Sequence, residues 1–70
     1  MGTVATPNFV LKDAIFRKGM RQTQVAEKAR IHESRLSKIV RGWVEPSDDE
    51  KARIAKALKA SVADLFHVAA

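Results

Sequence analysis

The stretch Gln22-Thr23-Gln24-Val25-Ala26-Glu27-Lys28-Ala29-Arg30-Ile31-His32-Glu33-Ser34-Arg35-Leu36-Ser37-Lys38-Ile39-Val40-Arg41-Gly42 decides the reading of this chain. Val25, Ala26 and Ala29 recur at the three- and four-residue steps of one helix face, which predicts a short helix over 22–29. Leu36, Ile39 and Val40 repeat the pattern and predict a second helix over 33–40, with Gly42 as its stop. Arg30-Ile31 leaves room for a tight turn between them. That spacing suits a helix-turn-helix: the second helix enters a major groove while the start of the first offers amides to a phosphate.

Upstream, Thr6-Pro7-Asn8 reads as a helix start, with Thr6 as cap and Pro7 at the first helical position. Leu11, Ala14, Ile15 and Lys18 follow at helical spacing before Gly19, so a helix is predicted over about 7–18. Downstream, Ser47-Asp48-Asp49-Glu50 is a capping box opening a fourth helix that runs to about Leu58, with Ile54, Ala55 and Leu58 inward. Ser61-Val62-Ala63-Asp64 repeats the pattern and opens a fifth helix carrying Val62, Leu65 and Phe66. No segment alternates with period two for long enough to argue a strand. An all-α fold of five short helices follows, with residues 1–6 as a tail, 7–66 as the domain and 67–70 as a second tail.

The chain has 70 residues, and a domain of that size buries about 60% of its unfolded surface, enough for one modest core. A deep enclosed active site is not expected. Without cysteine it forms no disulfide or thiolate metal site, which fits a reducing cytosol. The longest apolar run falls far short of the roughly 20 residues needed to span a bilayer. Residues 1–10 lack the basic start and apolar stretch of a secretory signal, so none is expected.

The net charge of +5 is unevenly distributed. Residues 17–41 carry eight bases (Arg17, Lys18, Arg21, Lys28, Arg30, Arg35, Lys38, Arg41) against Glu27 and Glu33, or 8 − 2 = +6. The remaining 45 residues carry five bases and six acids, or −1. The positive charge therefore belongs to the helix-turn-helix unit, where it suits a polyanion or, more blandly, a solvated basic face.

The 22–42 stretch resembles the Cro/C1-type, Xre-like phage-repressor family, whose members typically read Q-x-x-L-A-x-x-x-G-[IV]-s-x-s-x-[IL]-s-x-[IW]-E-x-G. Leu11 and Gly19 match the family's first helix, and Pro46-Ser47 with Ile54-Ala55-Lys56-Ala57-Leu58-Lys59-Ala60-Ser61 match its later part. The resemblance spans roughly residues 10–66. Ala26 selects the register that begins at Gln22, because starting at Gln24 would bury Lys28 where the two helices cross.

Several positions depart from the family pattern. Arg21 stands where a Thr or Ser cap is usual, a loss of about 1 kcal/mol. Arg30 replaces the turn glycine, so either an Arg at positive φ or a different turn is expected. Ile15 and Val40 stand in place of an Arg–Glu pair between the first and third helices. Asp48 and Lys51 occupy usually apolar positions, with Trp43 or Val44 expected to fold back over the thinner core.

The resemblance implies a lambda-repressor-like DNA-binding domain. Glu33, Ser34, Arg35 and Lys38 fall at or beside base-reading positions; Arg and Lys suit guanine, and Glu can accept from cytosine. Glu33 also has a plainer use, since an acid in a first helical turn suits the helix dipole. Arg21, Gln22, Thr23, His32, Ser37 and Arg41 are the phosphate candidates, with His32 alternatively the cap of the third helix. Trp43 is expected to pack. Phe66, Val68 and the alanines after it are candidates for a dimer contact or a frayed end. The two histidines lack a carboxylate spaced to assist, and no serine sits in an oxyanion pocket, so no metal, cofactor or catalytic residue is expected.

A cytoplasmic transcription regulator of bacterial or phage origin is the leading reading. It is expected to repress by binding double-stranded DNA as a homodimer. An antitoxin that also holds a toxin is the runner-up, although its tail is short for wrapping a partner. A protein-interaction domain without DNA binding is the rival from another class.

Overall fold

Asn8 anchors the start of the first helix through three hydrogen bonds. The computed structural model describes residues 7–66, which form α1 (Phe9–Arg17), α2 (Gln22–Ala29), α3 (Glu33–Val40), α4 (Asp48–Ala57) and α5 (Val62–Leu65). Among these residues there is no strand. The expected start of α1 needs correction: Pro7 precedes the helix, Thr6 lies outside the described residues, and Asn8 is the cap. Asn8 Oδ1 accepts from the Leu11 N–H at 2.9 Å, while Nδ2 donates to the Leu65 carbonyl at 2.9 Å. The Asn8 N–H donates to the Val40 carbonyl at 2.8 Å. A carboxamide both accepts and donates, so the Asn8 side chain caps α1 and joins it to α5, while the Asn8 backbone N–H joins it to α3.

The other starts follow the sequence pattern. Ser47 Oγ accepts from the Glu50 N–H at 3.2 Å and Glu50 Oε1 accepts from the Ser47 N–H at 2.8 Å, completing the capping box. Ser61 Oγ accepts from the Asp64 N–H at 3.2 Å. Arg21 has no side-chain acceptor to offer α2. Instead Gln24 Oε1 reaches back to the Arg21 N–H at 2.9 Å, recovering half of a box.

Four helices end in one way. Gly19, Arg30, Gly42 and Lys59 have φ of 66°, 57°, 79° and 54°. The next amide closes onto the helix each time: Met20 N to Ile15 O, Ile31 N to Ala26 O, Trp43 N to Lys38 O and Ala60 N to Ala55 O. Arg30 and Lys59 hold the left-handed conformation with side chains that disfavour it. Arg30 thus keeps the family turn rather than changing it.

α2 packs on α3 and α4, α1 on α3 and α5, and α5 also on α4. Leu11, Val25, Leu36, Ile54 and Leu58 are fully enclosed at the centre, each worth about 2 kcal/mol by burial. Ala26 is buried and Lys28 exposed, as the Gln22 register requires. Ile15 and Val40 lie in the same apolar core where the family pattern has an ion pair. Val44 packs against that core; Trp43 does not, and is 61% exposed. Expected packing of Trp43 is thus corrected. Phe66 is buried as well, within this chain's own core, while Val68 lies outside the described residues. Lys51 is half-buried, with Nζ 5.9 Å from the Phe66 ring centroid and 3.7 Å from Glu45 Oε1.

Candidate nucleic-acid interface

α3 turns Leu36, Ile39 and Val40 into the core. At about 100° per residue, the opposite side of the helix belongs to Ser34 and Lys38, four residues apart and both exposed. Glu33 is exposed to one side of them and Arg35 to the other, while Ser37 is half-buried. Gln22 is half-buried at the first turn of α2, with Arg21 and Thr23 exposed beside it.

His32 caps α3. Its Nδ1 accepts from the Ser34 N–H at 3.2 Å and lies 2.8 Å from Ser34 Oγ. The cap therefore also orients the Ser34 hydroxyl. Beyond the other end of α3, the Arg41 guanidinium stands 5.1 Å from the Trp43 ring centroid, a cation–π pair on an exposed loop.

Arg35 is not free. Its Nη2 donates to Glu50 Oε1 at 2.9 Å and its Nε donates to Oε2, a two-pronged bond from α3 to the first turn of α4. Glu50 is the charged member of the buried set among the described residues. The Arg35 hydrogen bond, then that of the Ser47 N–H, holds its carboxyl down to about 2, against the opposing effect of burial. One carboxylate thus caps α4 and ties α3 to it.

Arg53 supplies a second tie, which the sequence pattern did not disclose. Its Nη1 donates to the carbonyls of Ala29 and Arg30, both at 3.0 Å, and so satisfies acceptors at the end of α2. Its Nε is 3.0 Å from Asp49 Oδ2, an ion pair whose alignment falls outside hydrogen-bond geometry. No spacing rule joins Arg53 to a turn 23 residues upstream.

Arg17 pairs with Asp13 and Arg35 with Glu50. These pairs reduce the +6 of residues 17–41 to 6 − 2 = +4. Lys18, Arg21, Lys28, Arg30, Lys38 and Arg41 enter no ion pair among the described residues. The exposed side of the helix-turn-helix therefore retains a surplus of uncompensated positive charge.

A helix-turn-helix family model matches residues 11–65. The chain belongs to the Cro/C1-type helix-turn-helix family. This family places it among DNA-binding transcription regulators. The crystal structure of the clp gene regulator ClgR from C. glutamicum is similar, with a TM-score of 0.77 and 34% identity over 84% of this chain and 77% of that one. No curated protein sequence matches significantly. Within the Cro/C1-type pattern, this chain has replaced the α1–α3 ion pair with apolar side chains and placed an Arg–Glu pair between α3 and α4.

Among the described residues, no group of three or more His, Cys, Asp or Glu is arranged to hold a metal ion. None of the described helices is long and apolar enough to cross a membrane.

Proposed function

We propose that this protein represses transcription by binding a pseudo-palindromic operator as a homodimer, with α3 in the major groove. The observation that supports this most is the exposed Ser34–Lys38 side of α3, opposite the core and accompanied by unpaired bases. Lys38 suits guanine O6 and N7, Glu33 suits cytosine N4, and Ser34 can bond either kind of base edge. Arg35, held by Glu50, stands beside them on the same side of α3. Gln22, Arg21 and Thr23 meet a phosphate at the start of α2, with Arg41 meeting another beyond α3; His32 and Ser37 flank the backbone. The similarity to a gene regulator agrees with this reading.

A single module of this size gives too small an interface for tight operator binding, which favours two copies on two half-sites. Such a protein acts in the cytoplasm, where the DNA is. Selection of bound duplexes from random DNA tests the proposal. The expected product is a pseudo-palindrome with half-sites about 10 base pairs apart. Affinity should fall steeply with salt as counterions are released. Absence of salt-sensitive binding at low ionic strength overturns the reading.

A further inference from the structure

The outward side of α1 carries a patch that the DNA-binding surface does not use. Phe16 is 82% exposed and Phe9 65% exposed, on a helix whose other side buries Leu11 and Ile15. A seven-residue separation puts the two rings on one face about 10 Å apart along the axis. Lys12 and Asp13 lie between them, and all four residues line a single shallow depression. Large exposed aromatics on so small a domain mark a contact surface.

The order of these residues identifies the occupant. In an antiparallel pair of α1 helices related by a two-fold axis between positions 12 and 13, Phe9 meets the second copy's Phe16. Lys12 then meets the second copy's Asp13, and each contact occurs twice. A face complementary to itself in both shape and charge is what a two-fold interface requires. We infer that α1 is a self-association surface whose partner is a second copy of this chain, joined by paired phenylalanines and reciprocal Lys12–Asp13 ion pairs. None of the four residues belongs to α2 or α3. Two nine-residue helices bury less than about 1,200 Å², which makes the association weak and reversible. The inference does not depend on DNA binding.

Sedimentation equilibrium of the full chain without DNA, at concentrations up to about 1 mM, tests it. A reversible monomer–dimer equilibrium is expected, and Phe16→Ala should weaken it at least about tenfold. Lys12→Asp and Asp13→Lys should each be monomeric, because each places like charges opposite one another. Mixed together they should form a heterodimer, since one copy then carries two acids where the other carries two bases. The exposed Asp13–Arg17 pair is a minor stabiliser, so Asp13→Lys should still fold, with its melting curve as the check. A monomer at every concentration overturns the inference. So does a dimer that Phe16→Ala leaves unchanged, or a mixture of the two charge variants that remains monomeric.

Discussion

The guanidinium of Arg35 on α3 grips the carboxylate of Glu50 on α4, with Nη2 2.9 Å from Oε1 while that same oxygen accepts from the Ser47 N–H at 2.8 Å. The helix proposed to enter the major groove is thereby joined to the start of α4. Because the folded state holds the Glu50 carboxyl at about 2, below its ordinary 4.5, the folded protein binds fewer protons there than the unfolded chain. This contribution to stability is complete above about pH 5 and is lost as pH falls towards 2. Glu50→Gln should cost about 2 kcal/mol at pH 7. In urea melts its deficit against the parent should shrink between pH 5 and 3. A constant gap over that range contradicts the assignment.

Arg30 and Lys59 hold left-handed turns with φ of 57° and 54°. Arg30→Gly and Lys59→Gly should each stabilise the protein by about 1 kcal/mol, since released strain exceeds the added entropy of the unfolded chain. For a domain of this size the melting temperature should rise about 4–8 °C. A fall in melting temperature shows that the side chain contributes more than the turn costs.

Asn8 offers a test that separates its two uses. Asn8→Asp keeps an acceptor for the Leu11 N–H but loses the donor to Leu65 and sets a charge against that carbonyl. If capping alone mattered, Asp would be neutral or better, because an acid suits the helix start. The tertiary bond predicts a loss of about 1–2 kcal/mol by thermal melting instead.

Lys38→Ala should relax preference at one base position and cost about 1–3 kcal/mol on the preferred site. Gln22→Ala should weaken every sequence alike, as expected of a phosphate contact. Fluorescence anisotropy on a panel of single-base variants measures both. A change of base preference in Gln22→Ala shows that the register on DNA differs from the one proposed.

Trp43 is the sole tryptophan and lies open beside Arg41. Trp43→Ala should change stability by less than about 0.5 kcal/mol. Its emission should be that of a solvated indole and should change when duplex is added, because the loop follows α3 directly. A large loss of stability restores the packing reading. The contrast with the other three helix ends is instructive: Ile31, Met20 and Ala60 turn towards the core at the equivalent place, whereas here Val44 takes that part.

The helices themselves were legible because their causes are local. The apolar stripes of α2 and α3, the Ser47 and Ser61 caps and the glycine stops act over four or five residues, within reach of a pattern in the chain. The charge concentrated in residues 17–41 was equally readable. Tertiary structure alone decided what distant groups do to one another. Arg35 and Glu50 are 15 residues apart, Arg53 and Ala29 are 24 apart, and Asn8 and Leu65 are 57 apart. A polar side chain with several partners in range takes those that burial leaves unsatisfied, and burial is settled only when the helices pack. For that reason no sequence pattern showed that Arg35 pairs with Glu50 or that Phe66 lies in the core.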